Sequence, residues 1–313
     1  MYRIGIDLGG TNIAVGIVDE TQRIVGTAQT PTLPAEGAEA VLDRIAECAA
    51  QAAAAAGVGL TDCAGAGLGA PGTCDMRSGI VRYAHNLGWD GLPAAEQLRA
   101  RLGMPVFLGN DADCAALGEV VAGAAKGCSS ALLVTLGTGV GGGFVVDGKI
   151  QSGWRGLGGE FGHICVAMDG EPCSCGRRGC WEAYASASAL IRQAAAAAAA
   201  DPGSALSGAG ALSGRSIYAA AAAGDAAALA VTERYAQYVG VGLVSLLNAL
   251  FPEVILLGGG VSGAGEALLA PVRRFVAENA FIRDASLLPE IRAAALGGDA
   301  GMLGAAALVP KGK

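Results

Sequence analysis

The sequence lacks an excess of basic residues. Lys and Arg together number 21, against 28 Asp and Glu, and the formal net charge is -7. A surface that binds nucleic acid needs clustered Lys and Arg to neutralise phosphates. The composition therefore argues against a nucleic-acid partner.

The sequence also lacks an export signal and a long apolar run. Its most apolar region, residues 239–257, is interrupted by Asn248 and by Pro252 and Glu253. This pattern predicts a buried helix followed by a buried strand rather than a membrane span. Near the N-terminus, Asp7 lies inside the first apolar run, whereas a signal peptide needs an uncharged one. We therefore expect a cytoplasmic protein that has no membrane partner.

One pattern of strands and turns occurs twice along the chain. Residues 2–8 predict a strand, a glycine turn follows, residues 12–18 predict a returning strand, and an acidic turn ends the unit. The same succession is predicted over residues 131–148. Such a repeat indicates two similar α/β halves with a cleft between them.

Three glycine turns follow predicted strands. Glycine lets backbone N–H groups approach an anion closely, and threonine adds a hydroxyl donor. The turns therefore predict binding of nucleotide phosphates, although tight hairpin turns alone would also explain them. Asp7 is placed where a carboxylate could hold Mg²⁺. The candidate residues for ATP and Mg²⁺ are Asp7, Gly9, Gly10, Thr11, Asn12, Gly137, Thr138, Gly139, Gly259 and Gly260.

The second turn also matches the dinucleotide signature G-x-G-x-x-G through Gly137, Gly139 and Gly142. That signature requires a helix after the turn, whereas residues 144–146 predict a strand. A nucleotide-dependent oxidoreductase is therefore a weak alternative. The chain contains no G-x-x-x-x-G-K-[ST] sequence either, so a P-loop is excluded.

Asn110 and Asp111 stand between a predicted strand and a predicted helix. Such a pair commonly caps a helix. Phosphoryl transfer to an alcohol also needs a carboxylate that accepts the hydroxyl proton. Asp111 could serve as that general base and Asn110 could bind another hydroxyl group, and both roles are compatible with capping.

Three of the nine cysteines form a cluster. Cys173, Cys175 and Cys180 lie within eight residues, and His163, one of only two histidines, lies ten residues upstream. Three thiolates and an imidazole are a typical closed, tetrahedral set of Zn²⁺ ligands, so we predict a structural zinc site. The scattered cysteines are interpreted as small core residues; they are Cys48, Cys63, Cys74, Cys114, Cys128 and Cys165.

With these motifs in place, the chain resembles the ROK family (repressors, open reading frames, kinases) and, within it, the bacterial glucokinases. The resemblance covers essentially the whole chain. The matching segments are residues 7–11, 69–72, 109–111, 136–143, 160–163, 173–182 and 256–260.

The resemblance implies an actin-like, ribonuclease-H-like fold of two α/β domains that flank a cleft. Residues 1–110 with about 298–313 would form the small domain, and residues 111–297 the large domain with the zinc loop. Family repressors carry an N-terminal DNA-binding module, and because Asp7 lies near the first residue we expect none here. The family is usually dimeric or tetrameric, so a homodimer or homotetramer is expected. The implied sugar ligands are Gly72, Asn110, Asp111, Glu160, His163 and Glu182.

The function implied is transfer of the γ-phosphoryl group of Mg-ATP to a hexose, most of all glucose, with Asp111 as base. The zinc ligands implied are His163, Cys173, Cys175 and Cys180. The alternatives within the family are an N-acetylmannosamine kinase, a fructokinase or an allokinase, and polyphosphate is an alternative donor. Outside the kinases, a non-catalytic sugar sensor is the second alternative.

Overall fold

The structure is a computed structural model that describes residues 1–208 and 210–310. The chain divides into two compact units. Unit 1 comprises Met1–Ala131, Gly143–Gly159 and Ala295–Lys313, and unit 2 comprises Leu132–Gly142 and Glu160–Ala294. The domain boundaries expected from the sequence, near residues 110 and 298, stay a prediction.

Strands and helices are mixed along the whole chain, which confirms the predicted α/β class. The strands are β1 (Tyr2–Leu8), β2 (Asn12–Val18), β3 (Ile24–Pro31), β4 (Cys63–Ala70), β5 (Thr73–Asp75), β6 (Ile80–Ala84), β7 (Trp89–Leu92), β8 (Val106–Asn110), β9 (Ser130–Leu136), β10 (Val140–Val146), β11 (Lys149–Ile150), β12 (Val254–Gly258) and β13 (Glu290–Ala293). The α-helices are α1 (Ala38–Ala56), α2 (Ala94–Leu102), α3 (Asp111–Ala122), α4 (Glu182–Ala185), α5 (Ala187–Ala200), α6 (Ala205–Gly208), α7 (Gly214–Ala222), α8 (Ala226–Leu250), α9 (Glu266–Asn279) and α10 (Asp299–Ala307).

Two five-stranded sheets share one strand order. The first is β3-β2-β1-β4-β8, and the second is β11-β10-β9-β12-β13. In the first sheet β1 and β2 are antiparallel, as are β2 and β3, whereas β1, β4 and β8 run parallel. The repeated order agrees with the duplication predicted from the sequence. A third sheet, β5-β6-β7, extends unit 1.

The alternation of side chains along β1 gives the first sheet two different faces. Ile4, Ile6 and Leu8 are fully buried in the cluster that includes the apolar side of α1. The opposite face carries Gly5, where a Cβ atom would lie 1.9 Å from the Met302 carbonyl oxygen. Because no side chain intervenes, α10 packs directly on the backbone of this sheet. Asp7 lies on the same face as Gly5.

Unit 2 is built around the 25-residue helix α8. Trp181 is fully buried and lies against Gly242 of that helix, where a Cβ atom would come within 2.0 Å of the indole ring. The Trp181 Nε1 atom also donates a hydrogen bond of 2.8 Å to the Tyr238 carbonyl oxygen. These contacts fix the residues on either side of Trp181 to α8.

Three local expectations from the sequence are changed by the structure. The second glycine turn is shorter than predicted, because β10 already begins at Val140. The sequence predicts that Ser262 caps the helix after the third glycine turn. That helix, α9, begins only after Gly265, and the Ser262 hydroxyl donates to the Gly259 carbonyl oxygen instead. Cys165 is exposed rather than part of the core, and its backbone pairs with that of Cys180 in an isolated β-bridge. Among the described residues, no helix is long and apolar enough to cross a membrane.

Candidate functional site

The polar residues of unit 1 meet at one edge of the first sheet. Strands β1, β4 and β8 are parallel neighbours, so their carboxyl ends lie side by side. Asp7 pairs in register with Gly69, and Asn110 pairs with Ala70. This topology brings together sequence segments that are about one hundred residues apart, and it is the usual place for a binding site in such a sheet.

Asn110 both caps α3 and connects it to the neighbouring strand. Its Oδ1 atom accepts hydrogen bonds from the N–H groups of Ala112 (2.9 Å) and Asp113 (3.2 Å). Its Nδ2 atom donates a hydrogen bond of 3.0 Å to the Gly72 carbonyl oxygen. Asp111 is the first residue of α3, and its Oδ1 atom accepts from the Ala112 N–H group at 2.8 Å. The cap expected from the sequence is thus present, and it holds Gly72, Asn110 and Asp111 together.

Asp7 is a largely buried carboxyl in the same place. Burial first, and then the negative charge of Asp111, raise its pKa from 3.8 to about 6. A Cβ atom at Gly301 of α10 would lie 2.5 Å from the Asp7 carboxyl, so only glycine fits there. Two carboxylates close together in a partly dry site favour a bound divalent cation, which would compensate both charges.

The first glycine turn closes between Gly9 and Asn12. The Gly9 N–H group donates 2.9 Å to the Asn12 carbonyl oxygen. Thr32, which is fully buried, stabilises the turn through two hydrogen bonds. Its hydroxyl donates to the Gly9 carbonyl oxygen at 2.8 Å, and its N–H group donates to the Thr11 carbonyl oxygen at 3.0 Å. Gly10 and Thr11 therefore stand at the tip of a turn that is fixed at its base.

The second glycine turn, Gly137 to Gly139, lies in unit 2 at the beginning of α5. The Gly137 carbonyl oxygen accepts 2.7 Å from the Ala187 N–H group, and the Thr138 carbonyl oxygen accepts 2.9 Å from the Ser188 hydroxyl. A strand rather than a helix follows this turn, so the dinucleotide-binding alternative lacks the turn-to-helix junction it requires.

The third glycine turn packs against the second. Gly259 has a φ of +79°, and a Cβ atom there would lie 2.6 Å from the backbone of Leu136, the residue just before Gly137. Gly259 and Gly260 are thereby placed beside the end of β9. Unit 2 thus brings two of the three predicted phosphate-binding turns together, while unit 1 holds the first.

The predicted metal ligands also meet in unit 2. The ligand atoms of His163, Cys173, Cys175 and Cys180 all lie within 4.8 Å of one another. The Sγ atoms of Cys175 and Cys180 are 3.6 Å apart, and the Sγ atom of Cys173 is 3.7 Å from Nδ1 of His163. A tetrahedral zinc ion with Zn–S bonds of about 2.3 Å places its ligand atoms roughly 3.8 Å apart. The arrangement therefore fits the ligand set of a four-coordinate metal.

Glu182 connects this cysteine cluster to the second glycine turn. Its Oε2 atom accepts 3.0 Å from the Val140 N–H group, next to Gly139. Its Oε1 atom accepts 2.9 Å from the Ser174 hydroxyl and 3.6 Å from the Cys173 thiol. Glu160 is exposed and immediately precedes the short 3-10 helix Phe161–His163. Of the six predicted sugar ligands, unit 1 thus contributes Gly72, Asn110 and Asp111, and unit 2 contributes Glu160, His163 and Glu182.

Comparisons with known proteins show the family of the chain. The ROK family model matches residues 3–312. The chain belongs to the ROK family. A curated glucokinase of Halalkalibacterium halodurans is 40% identical over 98% of this chain and 94% of its own length. A crystal structure of a Streptomyces griseus ROK glucokinase with glucose and AMPPNP has a TM-score of 0.83 at 38% identity, covering 98% of this chain and 99% of the other. A ROK hexokinase from Thermus thermophilus gives 0.82 at 40% identity, covering 98% and 97%.

Sequence reasoning missed several residues that support the site of this ROK protein. Thr32 holds the first glycine turn, and Ser174 holds Glu182. Asp113 is buried two residues after Asp111 and accepts a hydrogen bond from Ser152, 39 residues further along the chain. A short polar residue has no local pattern that reveals such a distant partner. The one signal in the sequence is Asp113, because a carboxylate at a buried position of a helix needs a polar partner.

Proposed function

We propose that this protein is an ATP-dependent hexose kinase, with glucose as its principal substrate. The observation that carries the proposal is the placement of Asp111 beside Asp7 and Gly72 at the carboxyl edge of β1, β4 and β8. It is supported by membership, over nearly the whole chain, in a family whose similar members include glucokinases. The reaction is transfer of the γ-phosphoryl group of Mg-ATP to a sugar hydroxyl, for which we propose O6.

In this reaction the protein supplies positioning, charge compensation and one base. Asp111 accepts the proton of the attacking hydroxyl. Asn110, Gly72, Glu160, His163 and Glu182 would bind the remaining hydroxyl groups. The backbone N–H groups and hydroxyls at Gly9 to Asn12 and Gly137 to Gly139 would hold the phosphates, with Gly259 and Gly260 near the nucleoside. Mg²⁺, held with the help of Asp7, would neutralise charge on the phosphates.

The cysteine cluster is proposed as a structural Zn²⁺ site. A set of four protein ligands leaves no open position, so the metal would order the loop rather than take part in chemistry. His163 would bind the metal through Nδ1, which lies near Cys173, and this would leave Nε2 for a sugar hydroxyl. A cytoplasmic location and a homodimeric or homotetrameric assembly remain part of the same proposal.

The test is release of ADP from Mg-ATP against a panel of hexoses that includes glucose, fructose, allose and N-acetylmannosamine. Asp111→Asn keeps an oxygen that can accept from the Ala112 N–H group, so the folded structure should persist. Loss of the base should lower kcat by about two orders of magnitude or more and change the KM for glucose little.

The outcomes separate the alternatives. Turnover of another sugar in preference to glucose would change the substrate and keep the mechanism. Turnover with polyphosphate in place of ATP would change the donor. Near-normal turnover by Asp111→Asn would remove Asp111 as base. Sugar binding without any turnover by the wild-type protein would favour the sensor.

A further inference from the structure

The segment of residues 152–159, called here the strap, has an unusual backbone. Arg155 adopts a φ of +64°, a left-handed conformation that residues with a Cβ atom rarely take, and Gly153, Gly156 and Gly159 also have positive φ. The strap is the last part of the second segment of unit 1, and Glu160 is the first residue beyond it. A conformation of this kind persists only where surrounding contacts determine it.

The first anchor of the strap is Asp113. The Ser152 hydroxyl donates a short hydrogen bond to the Asp113 Oδ2 atom, and the two side chains are 4% and 3% exposed. The Ser152 carbonyl oxygen in turn accepts 2.7 Å from the Gly158 N–H group. A Cβ atom at Gly159 would lie 3.9 Å from Asp113 Oδ1. The first residue of the strap is therefore bonded to a buried carboxylate on the first turn of α3, two residues after Asp111, and the last residue of the strap lies near the same carboxylate.

The second anchor is Asp75, whose side chain has no exposed surface. The guanidinium group of Arg155 donates to its Oδ2 atom through Nη2 and, at 3.1 Å, through Nε. Arg82, on β6, donates to the same oxygen at 2.7 Å. The Met76 N–H group donates 3.2 Å to the Arg155 carbonyl oxygen. Arg155 is therefore held through its side chain and its backbone at the middle of the strap.

Two arginines share the Asp75 carboxylate, but only one of them belongs to the strap. Their side chains are comparably exposed, 43% for Arg82 and 33% for Arg155. The guanidinium groups hold the pKa of Asp75 well below its usual range, so the carboxylate stays ionised at any pH at which the enzyme would work. The two arginines thus form a matched pair for separating a role in stability from a role in the strap.

We propose that Arg155 and Asp75 are positioning residues for the hexose: by holding the strap in one conformation they fix Glu160, the next residue, for contact with the sugar hydroxyls. The inference rests on the proposed function, because it takes Glu160 as a sugar ligand. Arg155 touches neither substrate in this scheme. Its effect passes through residues 156–159 to the backbone of Glu160.

The test compares Arg155→Ala with Arg82→Ala. Misplacement of a substrate-binding group by a small distance is enough to weaken productive binding substantially, so Arg155→Ala should raise the KM for glucose roughly tenfold or more. The KM for Mg-ATP should not change. Arg82→Ala should leave both KM values as they are, although both variants lose one charged contact to Asp75. Arg155→Lys should restore part of the glucose affinity, because lysine keeps the charge but lacks the two-donor geometry.

Tryptophan fluorescence gives a second readout that a role in stability alone would not change. Trp154 precedes Arg155 in the strap and is 76% exposed, whereas Trp89 and Trp181 are 3% and 0% exposed. Quenching of tryptophan fluorescence by acrylamide therefore reports mainly on Trp154. The Trp154→Phe variant gives the fluorescence of the two buried tryptophans, which is subtracted as background. The Arg155 guanidinium group lies 5.2 Å from the Trp154 ring centroid, so the informative variant is one that keeps Arg155. Asp75→Asn removes the charged partner of Arg155 and should lower the fluorescence anisotropy of Trp154 in the folded protein, whereas Arg82→Ala should not.

The results separate this proposal from the proposed function. A wild-type protein that phosphorylates glucose, together with equal glucose KM values in the two alanine variants, would overturn the role of Arg155. A wild-type protein without turnover would contradict the proposed function, and glucose affinity measured by calorimetry would then decide the positioning role. Equal affinity in wild type and Arg155→Ala, or no affinity in either, would overturn it as well.

Discussion

Asp7 should destabilise the free protein at neutral pH while serving the reaction. Burial and the charge of Asp111 raise its pKa from 3.8 to about 6. A carboxyl with a raised pKa binds its proton more tightly in the folded state than in the unfolded state. The penalty is therefore absent below the ordinary pKa, grows between 3.8 and about 6, and is complete above that range. At about 1.4 kcal/mol per tenfold change in the dissociation constant, it amounts to about 3 kcal/mol.

Asp7→Asn removes the ionisable group and keeps its shape. Above pH 6 the variant should be more stable than the wild type by up to about 3 kcal/mol, and the difference should vanish as the pH falls below 3.8. Urea unfolding of both proteins across this pH range measures the difference. Mg²⁺ should stabilise the wild type and not the variant, because a cation that binds the folded state alone raises its stability. Phosphoryl transfer by the variant should be strongly reduced.

Asp225 provides a control of opposite sign. It caps α8, and hydrogen bonds from the backbone of Ala228 and Ala205 lower its pKa. Its contribution to stability is therefore present above the ordinary pKa and lost as the pH falls, so Asp225→Ala should destabilise the protein at neutral pH. If Asp7→Asn instead showed the same stability difference from the wild type at every pH, the raised pKa assigned to the Asp7 carboxyl would be wrong.

Two further predictions concern the metal loop and the close packing of unit 1. Cys175→Ala should lose bound zinc, measured by elemental analysis of purified protein. Cys165→Ala should retain it, because the exposed Cys165 lies outside the ligand cluster. Equal zinc content in the two variants would contradict the ligand set. Gly67→Ala should destabilise the protein by about 3 kcal/mol or more in urea unfolding, since the new methyl would lie 1.7 Å from the Ala305 carbonyl oxygen of α10. Gly263→Ala meets no atom within 4 Å and serves as the control, so a comparable loss there would refute the packing argument.

The sequence predicts those parts of the fold that local patterns determine. The strand, glycine turn and returning strand at residues 2–18 follow from alternation and from glycine, and the structure places them in β1 and β2. The cysteine spacing predicts the loop because three ligands lie within eight residues. The family resemblance, confirmed by the family match, supplied the site residues that spacing alone could not connect.

The parts that sequence did not reveal depend on distant partners. As a helix cap, the Ser262 oxygen would accept a hydrogen bond from a backbone N–H group. Its hydroxyl instead donates to the Gly259 carbonyl oxygen, and α9 begins three residues later than that cap would place it. Cys165 lies between two apolar residues, yet it is exposed, and its backbone pairs with that of the buried Cys180 in an isolated β-bridge. The bond between Ser152 and Asp113 joins residues 39 positions apart. No periodicity encodes such pairs, because each depends on how complete elements pack.

Glu182 would allow the proposed structural metal site to influence phosphoryl transfer without supplying chemistry. With zinc bound, the Cys173 thiolate would have no proton to donate to Glu182, and the Ser174 hydroxyl would remain as the donor on that side. Ser174 lies between two proposed zinc ligands, so the metal would fix its position. The opposite oxygen of Glu182 binds the Val140 N–H group, at the end of the second glycine turn. Order at the proposed metal site would thus reach the proposed phosphate-binding turn through a single carboxylate, and loss of zinc should weaken binding of nucleotide as well as of sugar.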